Sequence, residues 1–193
     1  GMAAHDPSSP FGAGSGGSGM ARIEPHSPGL RSRVWWGAGN RDSAEWAGRV
    51  GVNLMSSTLL TEDRGLPFDE LQSQQIDAFR AAWREAGHPG EPRVSVSRSI
   101  FPLTTATDQL YFGGRSDEEG VGFIDGMRST FGRTYAAPPD ELVEELKQDA
   151  AVASADTLML TIPSQLGVEF NLHVVESFAR YVAPALGWGP TRP

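Results

Sequence analysis

The sequence of 193 residues contains no cysteine and a single lysine, Lys147. Without cysteine the chain forms no disulfide, no thiolate metal site and no cysteine nucleophile. Arginine carries nearly all of the positive charge, and the formal net charge is −8. Because nucleic acids and anionic membranes bind clustered basic residues, neither is expected as a partner. No apolar run approaches the roughly 18 residues of a membrane-spanning helix, so a cytoplasmic location is expected.

Side chains arranged for acid–base or metal chemistry are also scarce. The sequence has four histidines, and no grouping of Ser, His and Asp resembles a catalytic triad. No spacing of histidines and carboxylates is typical of a metal site. His88 is expected in a loop, and His173 on the surface or the packed face of a helix. We therefore assign no catalytic residue, and either a bound cofactor supplies the chemistry or the chain performs none.

Composition divides the chain into two parts. Residues 1–32 are rich in Gly, Ser and Pro and begin with Gly1-Met2, which resembles the remnant of a cleaved purification tag. Such a segment has too little apolar surface to offset the entropy of ordering it, so a flexible lead is predicted. Residues 33–193 carry the apolar periodicity of a folded α/β domain.

Strands and helices alternate through the second part. Apolar runs predict strands over 33–37, 52–55, 93–101 and 156–162. Helical periodicity predicts helices over 42–50, 67–86, 140–155 and 169–186. The last strand is continuously apolar, as expected where both faces are covered, and 102–139 is expected to be irregular apart from a short helix near 121–127. Alternation implies parallel strands with right-handed crossovers, and four such units make about half of a (β/α)8 barrel.

A glycine-rich turn joins the first strand to the first helix. It consists of Gly37, Ala38, Gly39 and Asn40, and Asp42 or Ser43 is the expected N-cap. The start of a helix offers unpaired N–H groups and the positive end of the helix dipole, which together attract anions. The alternative is a tight turn in which the glycines adopt positive φ. Ser43 is likewise either a plain cap or an anion ligand.

Arg98 interrupts the apolar alternation of the strand over 93–101. A charged side chain at such a position needs a partner. That partner is either a cofactor or substrate, or an acidic residue of the chain itself.

Several segments, taken in order and spacing, resemble the C-terminal half of luciferase-like flavin-dependent oxidoreductases. These segments are 33–48, 82–89, 93–102, 155–160, 162–167 and 183–188. That family is a (β/α)8 barrel that binds reduced FMN or, in some branches, the deazaflavin F420. The resemblance implies that the turn and Ser43 hold the cofactor phosphate. It also implies that Arg98 lies on the same barrel face and contributes to cofactor binding.

The resemblance implies a monooxygenase that uses reduced FMN and O2 on a small organic substrate. NAD(P)H or a partner reductase would supply the electrons. Two alternatives stay open, a non-catalytic flavin-binding or subunit-assembly protein derived from the family and an F420-dependent hydride-transfer enzyme.

The first half of the family's barrel has no counterpart in this sequence. Its absence has three explanations that the sequence leaves open: a natural short protein, a truncated gene model, or the choice of an expressed segment. A half barrel of four strands would expose strand edges and one apolar face. A homodimer is therefore predicted.

Overall fold

A computed structural model describes residues 27–62, 64–114, 119–124 and 127–189. Contacts divide the chain into two units, Gly1–Arg31 and Ser32–Pro193. In the first unit, the amide of Leu30 donates to the carbonyl oxygen of Ser27 at 3.1 Å. Of the flexible lead predicted over 1–32, residues 1–26 lie outside the described residues.

The second unit alternates strands and helices. Its strands are β1 (Trp35–Ala38), β2 (Asn53–Ser56), β3 (Leu59–Leu60), β4 (Val94–Pro102), β5 (Gly120–Ile124), β6 (Met127–Phe131), β7 (Thr134–Ala137) and β8 (Thr157–Leu160). Its helices are α1 (Arg41–Val50), α2 (Phe68–Glu85), α3 (Ala106–Phe112), α4 (Pro139–Gln148), α5 (Ala150–Ser154) and α6 (Gly167–Ser177). A π-helical segment, Phe178–Val182, and a 3-10 turn, Ala183–Leu186, continue α6.

The main sheet is parallel throughout the described residues. Strands β1, β2, β4 and β7 lie in that order, and β8 also pairs with β4. Nine residues long, β4 pairs with β2 near its start, with β8 over 95–98 and with β7 over 99–102. The α/β class and the parallel pairing predicted from the alternation are thus confirmed.

The core lies between this sheet and its helices. Leu54, Val94 and Val96 are fully buried and share one cluster with apolar side chains of α1, α2 and α4. Helix α2 buries the stripe that its sequence predicts, which comprises Phe68, Leu71, Ile76, Phe79 and Trp83. Because Val94 and Val96 face this core, period-two alternation along β4 places its serines on the opposite face of the sheet.

The segment over 102–139 differs most from the prediction. Instead of an irregular chain with a helix near 121–127, it forms α3, an antiparallel hairpin of β5 and β6, and β7. Strand β6 also pairs antiparallel with β3. These strands are short, and β5 contains two glycines in five residues, so their sequence carries little alternation and their pairing partners decide their conformation.

Two other predicted elements need correction. The helix predicted over 140–155 is broken at Asp149, which is extended (φ −72°, ψ 108°) and caps α5 through its own side chain. The strand predicted over 156–162 is the shorter β8. It is partly exposed rather than covered on both faces, with Met159 42% exposed, because within the described residues it pairs with β4 alone.

Candidate functional site

The carboxyl ends of the parallel strands open on one edge of the sheet. In parallel α/β folds, ligands bind at this edge. A cavity of about 190 Å³ lies there, lined by Thr58, Phe68, Ser97, Arg98, Ser99, Phe131, Gly132, Arg133 and Thr161. It is smaller than the roughly 300–1,000 Å³ of a typical small-molecule site. The described residues therefore enclose room for only part of a cofactor-sized ligand.

Gly37 lies in β1, one residue before its end, and Gly39 lies in the turn between β1 and α1. Neither has a positive φ, so the tight-turn alternative is wrong for both. A Cβ atom at Gly37 would lie 3.7 Å from Met55 Cε, and one at Gly39 would lie 3.8 Å from the carbonyl oxygen of Leu59. Both are ordinary contact distances. The fold of the chain therefore does not by itself require glycine at either position.

Asn40 caps α1, not Asp42 or Ser43 as the sequence predicts. Its backbone is extended (φ −153°, ψ 168°), and the amide of Ser43 donates to its Oδ1 at 2.9 Å. Ser43 is therefore the third residue of α1. Its Oγ accepts a hydrogen bond from Trp36 Nε1 at 2.8 Å. The Ser43 hydroxyl proton is still available to a further acceptor.

The loop that follows β2 closes over the turn. The amide of Thr61 donates to the carbonyl oxygen of Gly39 at 2.9 Å. The Glu62 carboxylate accepts a hydrogen bond from the backbone amide of Arg41, and its second oxygen lies 3.5 Å from Arg64 Nε. The backbone amide at the start of α1, to which an external anion would bind, thus already donates its hydrogen bond to a carboxylate of this chain. Sequence reasoning missed Glu62, because it is 21 residues away from Arg41.

Two buried glutamines of α2 hold the ends of β1 and β2. Gln75 Nε2 donates to the carbonyl oxygen of Ala38 at 3.3 Å, and Gln75 Oε1 accepts from Ser56 Oγ at 2.6 Å. Gln72 Nε2 donates to the carbonyl oxygen of Ser57 at 2.8 Å. These hydrogen bonds fix the carboxyl ends of β1 and β2 against α2. Their signal in the sequence is two amides three residues apart beside the apolar stripe of α2.

Arg98 lies apart from the turn, in a buried ion pair on β4. Its Nε and Nη2 atoms donate to Asp149 Oδ2 and Oδ1 at 2.7 and 2.9 Å, and both side chains are at least 98% buried. Of the two kinds of partner that the sequence left open for Arg98, the structure shows an acidic residue of the chain itself. Because Arg98 also lines the cavity, its contact with a cofactor stays a prediction.

The carboxylate of Asp149 also accepts a hydrogen bond from Tyr135 Oη at 2.6 Å. Burial favours the protonated form of Asp149, but the hydrogen bonds and charge of Arg98 outweigh it and hold the pKa of Asp149 below its ordinary value. Burial and the neighbouring Asp149 charge raise the pKa of Tyr135 to about 12. Tyr135 is thus a neutral hydrogen-bond donor at physiological pH.

His173 lies on α6 and joins it to α3 through Asp108. Its Nε2 lies 2.9 Å from Asp108 Oδ1, and Asp108 also accepts from the amides of Thr104 and Thr105 at 2.9 and 2.8 Å. Burial would raise the pKa of Asp108, but these hydrogen bonds, above all that of His173, hold it below its ordinary value. The pair lies outside the cavity lining. His173 therefore lies on a helix, as the sequence predicts, with its side chain 34% exposed, and Asp108 is a partner that the sequence does not predict.

The described residues contain no group of three His, Cys, Asp or Glu side chains placed to hold a metal ion. Nor does any helix among them have the length and hydropathy needed to cross a membrane.

Comparison with known sequences found no protein family and no curated protein that matches this chain. Solved structures do match. Monooxygenase RslO1 from Streptomyces bottropensis aligns with 79% of this chain at a TM-score of 0.55 and 15% identity, over 47% of its own length. Apo-MsnO8 aligns with 88% of this chain at a TM-score of 0.50 and 18% identity, over 55% of its own length.

The chain has the fold of about half a luciferase-like barrel chain. The fold-level resemblance predicted from its motifs is thereby confirmed. A third match, to an F420-dependent secondary alcohol dehydrogenase in complex with an F420-acetone adduct, has a TM-score of 0.48 and 15% identity over 79% of this chain and 48% of that one. The chain spans about half the length of each of these three structures.

Proposed function

We propose that this chain holds the phosphate group of a flavin at the turn between β1 and α1 and serves a flavin-dependent oxidoreductase. The observation that carries the proposal is the pair Gly37 and Gly39. Both lie where β1 ends, and neither positive φ nor crowding within the chain requires a glycine there. Small residues at that place allow a ligand to approach the backbone closely.

The neighbouring groups fit an anionic ligand. The Ser43 hydroxyl can donate a hydrogen bond, and the positive end of the α1 dipole faces the turn. Arg98 and Arg133 line the cavity at the same edge of the sheet, where they are paired with Asp149 and Glu145 of the chain itself. A bound reduced flavin would supply the redox chemistry that the described side chains lack.

The leading form of the proposal is a monooxygenase that uses reduced FMN and O2 on a small organic substrate, with NAD(P)H or a partner reductase as the electron source. Selective binding of F420 would instead favour hydride transfer. The cavity of about 190 Å³, which has room for only part of a cofactor-sized ligand, favours a second candidate, a flavin-binding or subunit-assembly protein without turnover. Binding of FMN without NAD(P)H- or O2-dependent activity would support that candidate.

An FMN titration of the purified chain, followed by flavin fluorescence, tests the phosphate site. We expect micromolar binding, and we expect Gly39→Asp to weaken it at least tenfold, about 1.4 kcal/mol, because a carboxylate there repels the phosphate. Gly114→Asp is the matched control, since no atom lies within 4 Å of a Cβ atom at Gly114. Equal affinity for riboflavin, which has no phosphate, would contradict the assignment.

Glu62→Gln tests whether the carboxylate competes with the ligand. The glutamine keeps an acceptor for the amide of Arg41 but removes the negative charge, so FMN affinity is expected to rise several-fold, up to about tenfold. Inorganic phosphate should likewise bind Glu62→Gln more tightly than it binds the parent chain, as measured by its displacement of FMN from each. Glu85→Gln, at the exposed end of α2, is the control for net charge. Unchanged affinity in Glu62→Gln would show that Glu62 does not occupy the ligand's place.

A further inference from the structure

We propose that two copies of this chain associate head to tail, so that the β1 end of each sheet meets the β8 end of the other. The inference specifies the homodimer predicted from the sequence by naming its two contact surfaces. It depends on the sheet ends and their exposed apolar side chains, and does not rest on flavin binding.

Both ends of the main sheet are open within the described residues. There β1 pairs with β2 alone, and β7 and β8 each pair with β4 alone, so β7 is a further open edge and the proposed contact uses the edge of β8. The two edge strands have equal lengths of four residues. Open strand edges are surfaces on which another strand can pair.

An exposed aromatic surface lies at the β1 end. Trp36 is 40% exposed and Trp46 is 42% exposed, and their ring centroids are 4.5 Å apart. The indole N–H of Trp36 is already bonded to Ser43. The remaining exposed surface of the pair is therefore mainly apolar ring, of the kind enriched in protein interfaces. Arg49 follows on the same helix, and its side chain is 57% exposed.

An exposed aliphatic surface lies at the β8 end. Val168, Leu172 and Val175 follow one another at helical spacing on α6 and are 84%, 55% and 37% exposed. Met159 on β8 and Ile162 just after it are 42% and 38% exposed. The opposite face of α6 packs inward through Val174, which is 4% exposed. Helix α6 therefore presents one apolar face to the core and a second to its surroundings.

The two ends suit each other better than either suits itself. Aromatic rings would face an aliphatic stripe. Arg49 lies 3.5 Å from Glu45 of its own helix, and in this contact its exposed guanidinium would also face the exposed Glu169 and Glu176 of the other copy. A two-fold axis along the strand direction pairs the β1 end of each copy with the β8 end of the other. Both ends of both copies are then in contact, so the assembly closes as a dimer. Two copies also span about the length of the matching structures, of which this chain covers 47% and 55%.

Sedimentation velocity of the flavin-free chain tests the dimer. The expected species has twice the 20.7 kDa mass of one chain, and a monomer at micromolar concentration would overturn the proposal. Val168→Glu should weaken the dimer at least tenfold, because it places a charge in the interface. Val121→Glu is the matched control on β5, since Val121 is 55% exposed and β5 belongs to the separate sheet of β3, β6 and β5. Dissociation of both variants, or of neither, would overturn the proposal.

A mixing experiment tests the head-to-tail arrangement. Trp46→Glu blocks one end and Val168→Glu blocks the other, so each variant alone should be monomeric. Mixed together they should form a heterodimer, because one of its two interfaces carries neither substitution. Failure of the mixture to associate would overturn head-to-tail pairing. Circular dichroism of each variant checks its fold, and FMN titration of monomeric Val168→Glu separates a failure of the dimer from a failure of the phosphate site.

Discussion

Replacing Asp149 with alanine is expected to lower the free energy of unfolding by about 3–5 kcal/mol, because it leaves Arg98 buried without its counter-charge. The substitution also removes the acceptor for Tyr135 Oη and the cap that accepts the amide of Val152 at 2.8 Å. A loss of that size is a large part of the roughly 5–15 kcal/mol that stabilises a typical domain. Urea denaturation followed by circular dichroism measures it.

Two variants make this result specific. Glu144→Ala breaks the exposed pair with Lys147, whose side chains are 69% and 51% exposed, and should cost less than about 1 kcal/mol. The double variant Arg98→Met, Asp149→Leu should recover part of the loss, since it leaves no charge unpaired in the core. A loss below about 1 kcal/mol in Asp149→Ala would contradict the buried pair.

The pH dependence of stability follows from the same groups. The pKa of Asp149 is held below its ordinary value of 3.8, so its contribution is present above that pH and is lost as the pH falls through the lower folded value. The pKa of Tyr135 is raised from 10.0 to about 12, so its contribution is present below pH 10 and is lost as the pH rises through 12. Removing Asp149 should therefore flatten the acid side of a plot of urea midpoint against pH.

Gly48→Val is expected to lower the free energy of unfolding by about 3 kcal/mol or more. A Cβ atom at Gly48 would lie 2.5 Å from the carbonyl oxygen of Phe79 and 3.0 Å from the amide nitrogen of Trp83. Both atoms belong to the backbone of α2, which cannot turn aside as a flexible side chain does. The helix propensity gained by losing a glycine is only about 1 kcal/mol at most, so crowding decides the sign.

Thermal and urea denaturation of Gly48→Val measure the expected loss. Gly114→Ala is its control, because no atom lies within 4 Å of a Cβ atom there, and it should stay within about 0.5 kcal/mol of the parent chain. Because α1 begins at the candidate phosphate turn, displacement of α1 in Gly48→Val should also weaken FMN binding. Unchanged stability would mean that α1 and α2 are not in close contact at Gly48.

The candidate site was predictable only in its local part. The turn from Gly37 to Asn40 follows a strand and opens a helix, and such a junction has its own sequence pattern. The contacts of Glu62, Gln72 and Gln75 with this edge of the sheet and the start of α1 are not local. Each residue looks like ordinary loop or helix composition, and only the folded chain brings it to the ends of β1 and β2.

The sequence by itself determined the parallel α/β alternation, the long α2 and the nine-residue β4, because their apolar periodicity is local and strong. Only the tertiary structure decided that Asp149 breaks a predicted helix to pair with Arg98, a residue 51 positions away. It likewise decided that the segments over 120–124 and 127–131 pair as a hairpin, because β5 is held by β6 and β6 by β3 rather than by a pattern of their own. The physical reason is the same in both cases. A buried charge and a short strand each take their conformation from partners that are distant in sequence.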